Sequence, residues 1–144
     1  MNFLKITTAS LIILLTYKMN AQDLSSHRWK DRLLLVLTNN INDTVYQEQL
    51  IAFQQEEQGM KERQLIVYHI TPNKFCTGMN GDGPWQASAL YRSYKQTDGP
   101  FEIVLIGLDG GVKWRQTELL PCDKLFSIID GMPMRRAEIQ NKKN

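Results

Sequence analysis

The stretch RLLLVLT, Arg32 to Thr38, sets five consecutive apolar residues between an arginine and a threonine. Side chains along a strand point alternately to opposite faces, so an unbroken apolar run of this length belongs to a strand buried on both. LIVYHIT, Leu65 to Thr71, and FEIVLIG, Phe101 to Gly107, repeat the pattern. Three such strands need a sheet with helices packed on both faces, which selects the layered α/β class.

The segments between the strands supply the helices. Thr44 and Gln47 have the spacing of a capping box, Tyr46, Leu50 and Phe53 recur at helical intervals, and Gly59 is placed to stop that helix. PNKFCTGMNGDG, Pro72 to Gly83, reads as a long loop. Pro84 suits a first helical position, followed by the stripe Ala87, Leu90, Tyr91 and Tyr94. Pro121 opens a last helix whose apolar face is Cys122, Leu125, Phe126 and Ile129, closed by Gly131. The final RRAEIQNKKN is a polar helical tail or a frayed end.

IGLDGGVKWRQ, Ile106 to Gln116, sets three glycines beside Lys113 and Arg115, as a phosphate-cradling loop would. A phosphate loop leads from a strand into a helix N-terminus. Here the glycines lead into VKWRQT, where Val112 and Trp114 alternate with Lys113 and Arg115. Asp109-Gly110 is therefore the tip of a tight hairpin with positive φ at both central residues, and the following strand is a sheet edge with one wet face.

The order strand, helix, strand, helix, strand, strand, helix is that of a thioredoxin-like fold. It implies a four-stranded mixed sheet, β-α-β-α-β-β-α, with helices on both faces and the second and fourth strands at opposite edges. Pro100 precedes the third strand, where thioredoxin-like proteins carry a cis-proline; an ordinary loop proline is the competing reading. LIGLDGGVKWR followed by LFSIIDGMPMRRAEI resembles the signature of the domain of unknown function 4174 family over about residues 29–139. That resemblance implies a secreted bacterial thioredoxin-like domain, similar to peroxiredoxin-like modules of animal extracellular-matrix proteins, and brings no established activity.

The N-terminus carries an address. Lys5 precedes the apolar ITTASLIILLT and a polar segment ending at Ala21, the pattern of a secretory signal peptide over residues 1–21. The apolar run is too short for a spanning helix of about 20 residues. Residues 22–144 are then one domain, secreted or periplasmic, with no membrane span. The chain has 17 Lys and Arg against 15 Asp and Glu, but Lys5 and Lys18 leave with the signal, so the mature chain has no net charge. Nucleic acid as a partner has no electrostatic support.

Chemistry is sparse. A thioredoxin-type enzyme holds a thiolate at the N-terminus of the helix after the first strand. That stretch here is TNNINDT, Thr38 to Thr44, which has no cysteine; Asn39 and Asn40, with Pro100, are its candidate ligand contacts. Cys122 lies on a helical apolar face, as a core thiol or one with pKa lowered near a helix N-terminus. Cys76, in the polar loop, is the more exposed candidate for redox or disulfide chemistry. His69 sits in an apolar strand as a core histidine, far from His27, and no metal or cofactor pattern is present. Lys113, Arg115, Arg135 and Arg136 could form one patch for an anionic, carboxylate-bearing or glycan ligand, or for a protein partner. Trp85 and Trp114 are core residues or its hydrophobic anchors. Two function classes remain: a non-catalytic binding or structural module, and a thiol oxidoreductase or peroxidase using Cys76, Cys122 or both.

Overall fold

The computed structural model describes residues 24–144; the signal peptide assigned to residues 1–21 lies outside them. Strand β1, Arg32–Thr38, is buried at every position. It pairs in parallel with β2, Leu65–Ile70, and antiparallel with β5, Phe101–Ile106, which pairs antiparallel with β6, Val112–Gln116. These four strands lie in the expected order, with β6 at an edge, but β2 is not the other edge.

Among the described residues the sheet has six strands, not four. Within the stretch expected to be a loop, β3, Lys74–Thr77, pairs with β2; β4, Gln86–Ala87, where a helix was expected, pairs with β3. The full order is β4-β3-β2-β1-β5-β6. The helix expected from Pro84 consequently starts late, as α3, Leu90–Tyr94, because Gln86 and Ala87 serve the sheet. The Ser88 hydroxyl accepts from the Leu90 N–H at 3.0 Å, and the Ser88 N–H donates to the Asn73 carbonyl.

Helix α1, Thr44–Gln55, is capped by Asp43, whose carboxylate accepts from the Val45 and Tyr46 N–H groups; Thr44 is its first residue. A break at Glu56 separates α1 from α2, Glu57–Glu62, so Gly59 lies inside a helix instead of ending one. A Cβ on Gly59 would fall 2.7 Å from the Phe126 ring, which is what the missing side chain accommodates. Helix α4, Cys122–Asp130, is followed by α5, Pro133–Asn141, so the polar tail is an ordered helix.

Two apolar layers sandwich the sheet. Leu34, Val36, Ile103 and Leu105 pack under Tyr46, Leu50 and Phe53 of α1, Met60 of α2, and Leu125 and Ile129 of α4. Leu33, Leu35, Leu37, Val104 and Ile106 pack under Leu90 of α3, with Leu24, Tyr91 and Tyr94 alongside. Each fully buried leucine contributes about 1.5–3 kcal/mol, so β1 alone is a major part of the driving force. Among the described residues no helix is long and apolar enough to cross a membrane.

The hairpin is present, with a wider loop than a two-residue turn. The Gly110 N–H donates to the Gly107 carbonyl, and Gly110 alone takes positive φ, +84°. Ile106 pairs with Val112 and Leu105 with Trp114, so Lys113 is an extra, bulged residue. The bulge also removes the expected wet-and-dry alternation: Val112, Lys113 and Trp114 are all exposed.

Candidate functional site

The β1–α1 loop holds the place where a thioredoxin-type thiolate would sit, and its backbone is tied down by its own side chains. The Thr38 hydroxyl donates to the Asn40 carbonyl, the Asn40 side-chain oxygen accepts from the Asn42 N–H, and Asp43 caps α1. The Asn39 N–H donates to the Pro100 carbonyl at 3.1 Å, so the structure brings Asn39, Asn40 and Pro100 to one end of the sheet, all exposed. Among the described residues no peptide bond is cis, so Pro100 is an ordinary loop proline. The helix N-terminus that would stabilise a thiolate faces a carboxylate, Asp43, that already accepts two of its N–H groups.

Both thiols lie elsewhere and are buried. Cys76, expected on an exposed loop, is fully buried in β3, opposite His69, and its Sγ donates to the Gly81 carbonyl. Burial first, and Asp82 second, push its pKa up to about 11 despite Lys74. The Cys122 Sγ donates to the Ala52 carbonyl. Burial, then Glu56 and Asp123, push that thiol up to about 11 also. The helix dipole at Cys122 does not prevail, because two carboxylates and an apolar wall oppose the thiolate. The two cysteines are free and do not bridge.

Behind the loop is a buried polar relay. His69 is inaccessible; its Nε2 lies 2.6 Å from the Gly78 carbonyl and its Nδ1 2.9 Å from the Tyr46 hydroxyl. A carbonyl only accepts, so Nε2 carries the proton and Nδ1 accepts from Tyr46. Burial lowers the His69 pKa against the opposing effects of Gly78 and Asp82, and raises that of Tyr46. This is a core histidine with local partners, as its strand position implied.

The four cations do not all face one surface, because Arg135 is internal. Lys113 is paired with Asp109 at 2.7 Å across the hairpin. Arg115 donates to the Tyr94 carbonyl and lies 3.4 Å from the buried Glu102 carboxylate. Arg135 is 1% exposed and bonded to Asp130, Glu62 and Glu138, so it is an internal clamp; Arg136, next to it on α5, is exposed. Arg32 makes a second such clamp, bonding Glu138 and the Arg63 carbonyl from a fully buried position. Sequence reasoning missed Arg32, which opens an apolar run, and assigned Arg135 to a surface patch because it lies in a polar tail. Neither tryptophan is in the core: Trp114 lies under the Lys124 ammonium at 4.9 Å and Trp85 under Lys74 at 5.2 Å. Among the described residues no group of three or more His, Cys, Asp or Glu is arranged to hold a metal ion.

A family model described as a domain of unknown function, DUF4174, matches residues 23–138. The chain belongs to that family. Coiled-coil domain-containing protein 80 of Danio rerio is 25% identical over 133 residues, covering 81% of this chain and 15% of that protein. The DUF4174 chain thus spans a small part of that relative's length. Among solved structures, the reduced 2-Cys peroxiredoxin of Plasmodium vivax is 17% identical at a TM-score of 0.54, covering 84% of this chain and 85% of that one. The mitochondrial 2-Cys peroxiredoxin of Plasmodium falciparum is 14% identical at 0.53, covering 76% and 79%. Thioredoxin peroxidase I of Plasmodium yoelii is 17% identical at 0.56, covering 79% of each chain. At such identities the likeness fixes the fold: this DUF4174 domain is thioredoxin/peroxiredoxin-like.

Proposed function

We propose that this chain is an exported thioredoxin-like domain that works as a non-catalytic binding or structural module. The observation that carries the reading is the β1–α1 loop, where Thr38 to Thr44 contain no thiol and Asp43 occupies the helix N-terminus. Thiol catalysis needs an accessible thiolate. Cys76 and Cys122 are both buried, bonded to carbonyls and pushed up to about 11. The cationic, apolar start of the chain supports secretion or a periplasmic location. The partner on this reading is a protein or an anionic or glycan ligand.

The competing reading is a thiol oxidoreductase or peroxiredoxin-like enzyme using Cys76, Cys122 or both, and its support is the peroxiredoxin likeness of the fold. The two separate in one assay. Thiol-driven peroxide consumption is measured for the wild type and for the Cys76→Ser/Cys122→Ser double variant. The module reading expects equal, uncatalysed rates. Turnover present in the wild type and absent from the double variant would sink it.

A further inference from the structure

A cavity of about 260 Å³ opens at the end of the sheet opposite the β1–α1 loop. The opposition follows from register: Leu33 of β1 faces Ile106 of β5 at the cavity end, whereas Thr38 faces Phe101, beside Pro100, at the other. Leu108, Met132, Pro133 and Met134 form apolar walls, and Arg32, Lys113 and Asp109 supply the charges. Arg32 is paired with Glu138 and Lys113 with Asp109, so the case for an anion rests on the donors that these pairs leave over.

Three features of the lining favour an anion. Arg32 spends its Nη groups on Glu138 and the Arg63 carbonyl, while its Nε is buried without an acceptor. Helix α5, nine residues long, starts at Pro133 with no side-chain cap at Met132, so its first-turn N–H groups have no side-chain acceptor. The positive end of that helix therefore opens beside Lys113. Lys113 itself is paired with the exposed Asp109, a pair that an incoming carboxylate can share or displace. The two methionines give the wall the adaptability of unbranched thioethers.

We propose that this cavity binds a small monocarboxylate with a short apolar body. The carboxylate lies between Lys113 and the α5 N-terminus, and the body lies against Leu108, Met132 and Met134. The volume sits below the usual range of about 300–1,000 Å³ for small-molecule sites, which sets a short body. The apolar walls disfavour a bare inorganic anion, which would lose hydration on the sides that face Leu108, Met132 and Met134. This deepens the binding-module reading and is independent of the thiols.

The test is an amide-resonance titration of the chain with 3-phenylpropionate, with hexanoate, and with the neutral 3-phenylpropionamide. Both acids should give saturable shifts centred on Gly107, Leu108 and Met134. The amide should bind about tenfold more weakly, as befits loss of a charge-assisted contact. Lys113→Met, at a half-exposed position, should weaken the acids at least fivefold while leaving the circular dichroism and melting temperature unchanged. No saturable shift with either acid, equal binding of acid and amide, or shifts centred on Asn39 and Asn40 would each overturn the proposal. Thiol turnover sinks the module reading without touching this titration, and a blank titration leaves the thiol result standing, so the two failures are distinct.

Discussion

Replacing Arg135 by alanine tests whether the polar tail is held by a buried cation. Its side chain is 1% exposed and bonds three carboxylates: Glu62 at 2.9 Å, Asp130 at 3.1 Å and Glu138 at 3.2 Å. Breaking a buried ion pair costs about 3–5 kcal/mol when the surviving charge is stranded in the interior. Here the survivors are 50%, 35% and 26% exposed and can rehydrate. Asp130 also keeps Arg63, and Glu138 keeps Arg32. The stranding penalty therefore falls away, and what remains is lost packing of the arginine stem and lost charge-assisted hydrogen bonds. We expect a loss of about 2–3 kcal/mol for Arg135→Ala. Arg135→Met, which keeps most of the volume, should recover about 1 kcal/mol of it. Urea unfolding followed by far-ultraviolet circular dichroism reads both through the midpoint at constant slope. An alanine variant within about 0.5 kcal/mol of wild type, the usual range for a surface substitution, would refute the clamp.

Other substitutions probe the remaining packing and polar contacts. Gly59→Ala gains helix propensity of up to about 1 kcal/mol, but its Cβ meets the Phe126 ring at 2.7 Å. Overpacking costs about 1–3 kcal/mol, so a net loss near 1 kcal/mol is expected in thermal unfolding, and a more stable variant would contradict the contact. Tyr46→Phe removes the donor to His69 Nδ1 in a buried site and should cost about 1–3 kcal/mol by the same measurement. Burial lowers the His69 pKa, so the unfolded chain binds this proton first as pH falls through 6.5. The corresponding stability is fully present above 6.5 and is lost on acidification towards the folded-state value, with a slope of at most about 1.4 kcal/mol per pH unit. His69→Gln should flatten that part of the stability profile, and an unaltered profile would exclude His69 as its source.

The legible part of the fold was the part written in apolar residues. Arg32–Thr38, Leu65–Ile70 and Phe101–Ile106 are buried almost without interruption, so the central strands and their covered faces followed from the runs themselves. Strands β3 and β4 did not, because Lys74–Thr77 buries only its middle pair, Phe75 and Cys76, and Gln86–Ala87 is exposed. Neither has a period of two, and Pro72, Gly78, Gly81 and Gly83 around them read as loop. The misplaced exposure of Cys76 follows from that one omission. The choice between a helical tail and a frayed end for α5 was open for a different reason: Arg135 and Glu138 hold it by charge, three residues apart, and hydrophobic periodicity is blind to such a pair. At the candidate site, the missing thiol was visible in Thr38–Thr44, whereas the pairing of Asn39 with Pro100 needed the sheet register. The withdrawal of Arg135 from the surface likewise depended on its burial under tertiary contacts, which no local pattern encodes.

The central claim is that the sulfur of this domain is structural, and intact mass after alkylation tests it most directly. A thiol near pKa 11 in place of 9 has roughly 100-fold less thiolate at neutral pH, before any steric protection. Iodoacetamide at pH 7.5 should therefore leave the folded chain unmodified while adding two groups in guanidinium chloride. Rapid labelling of one cysteine in the folded chain, or a mass two hydrogens low that gentle reductant restores, would contradict the account.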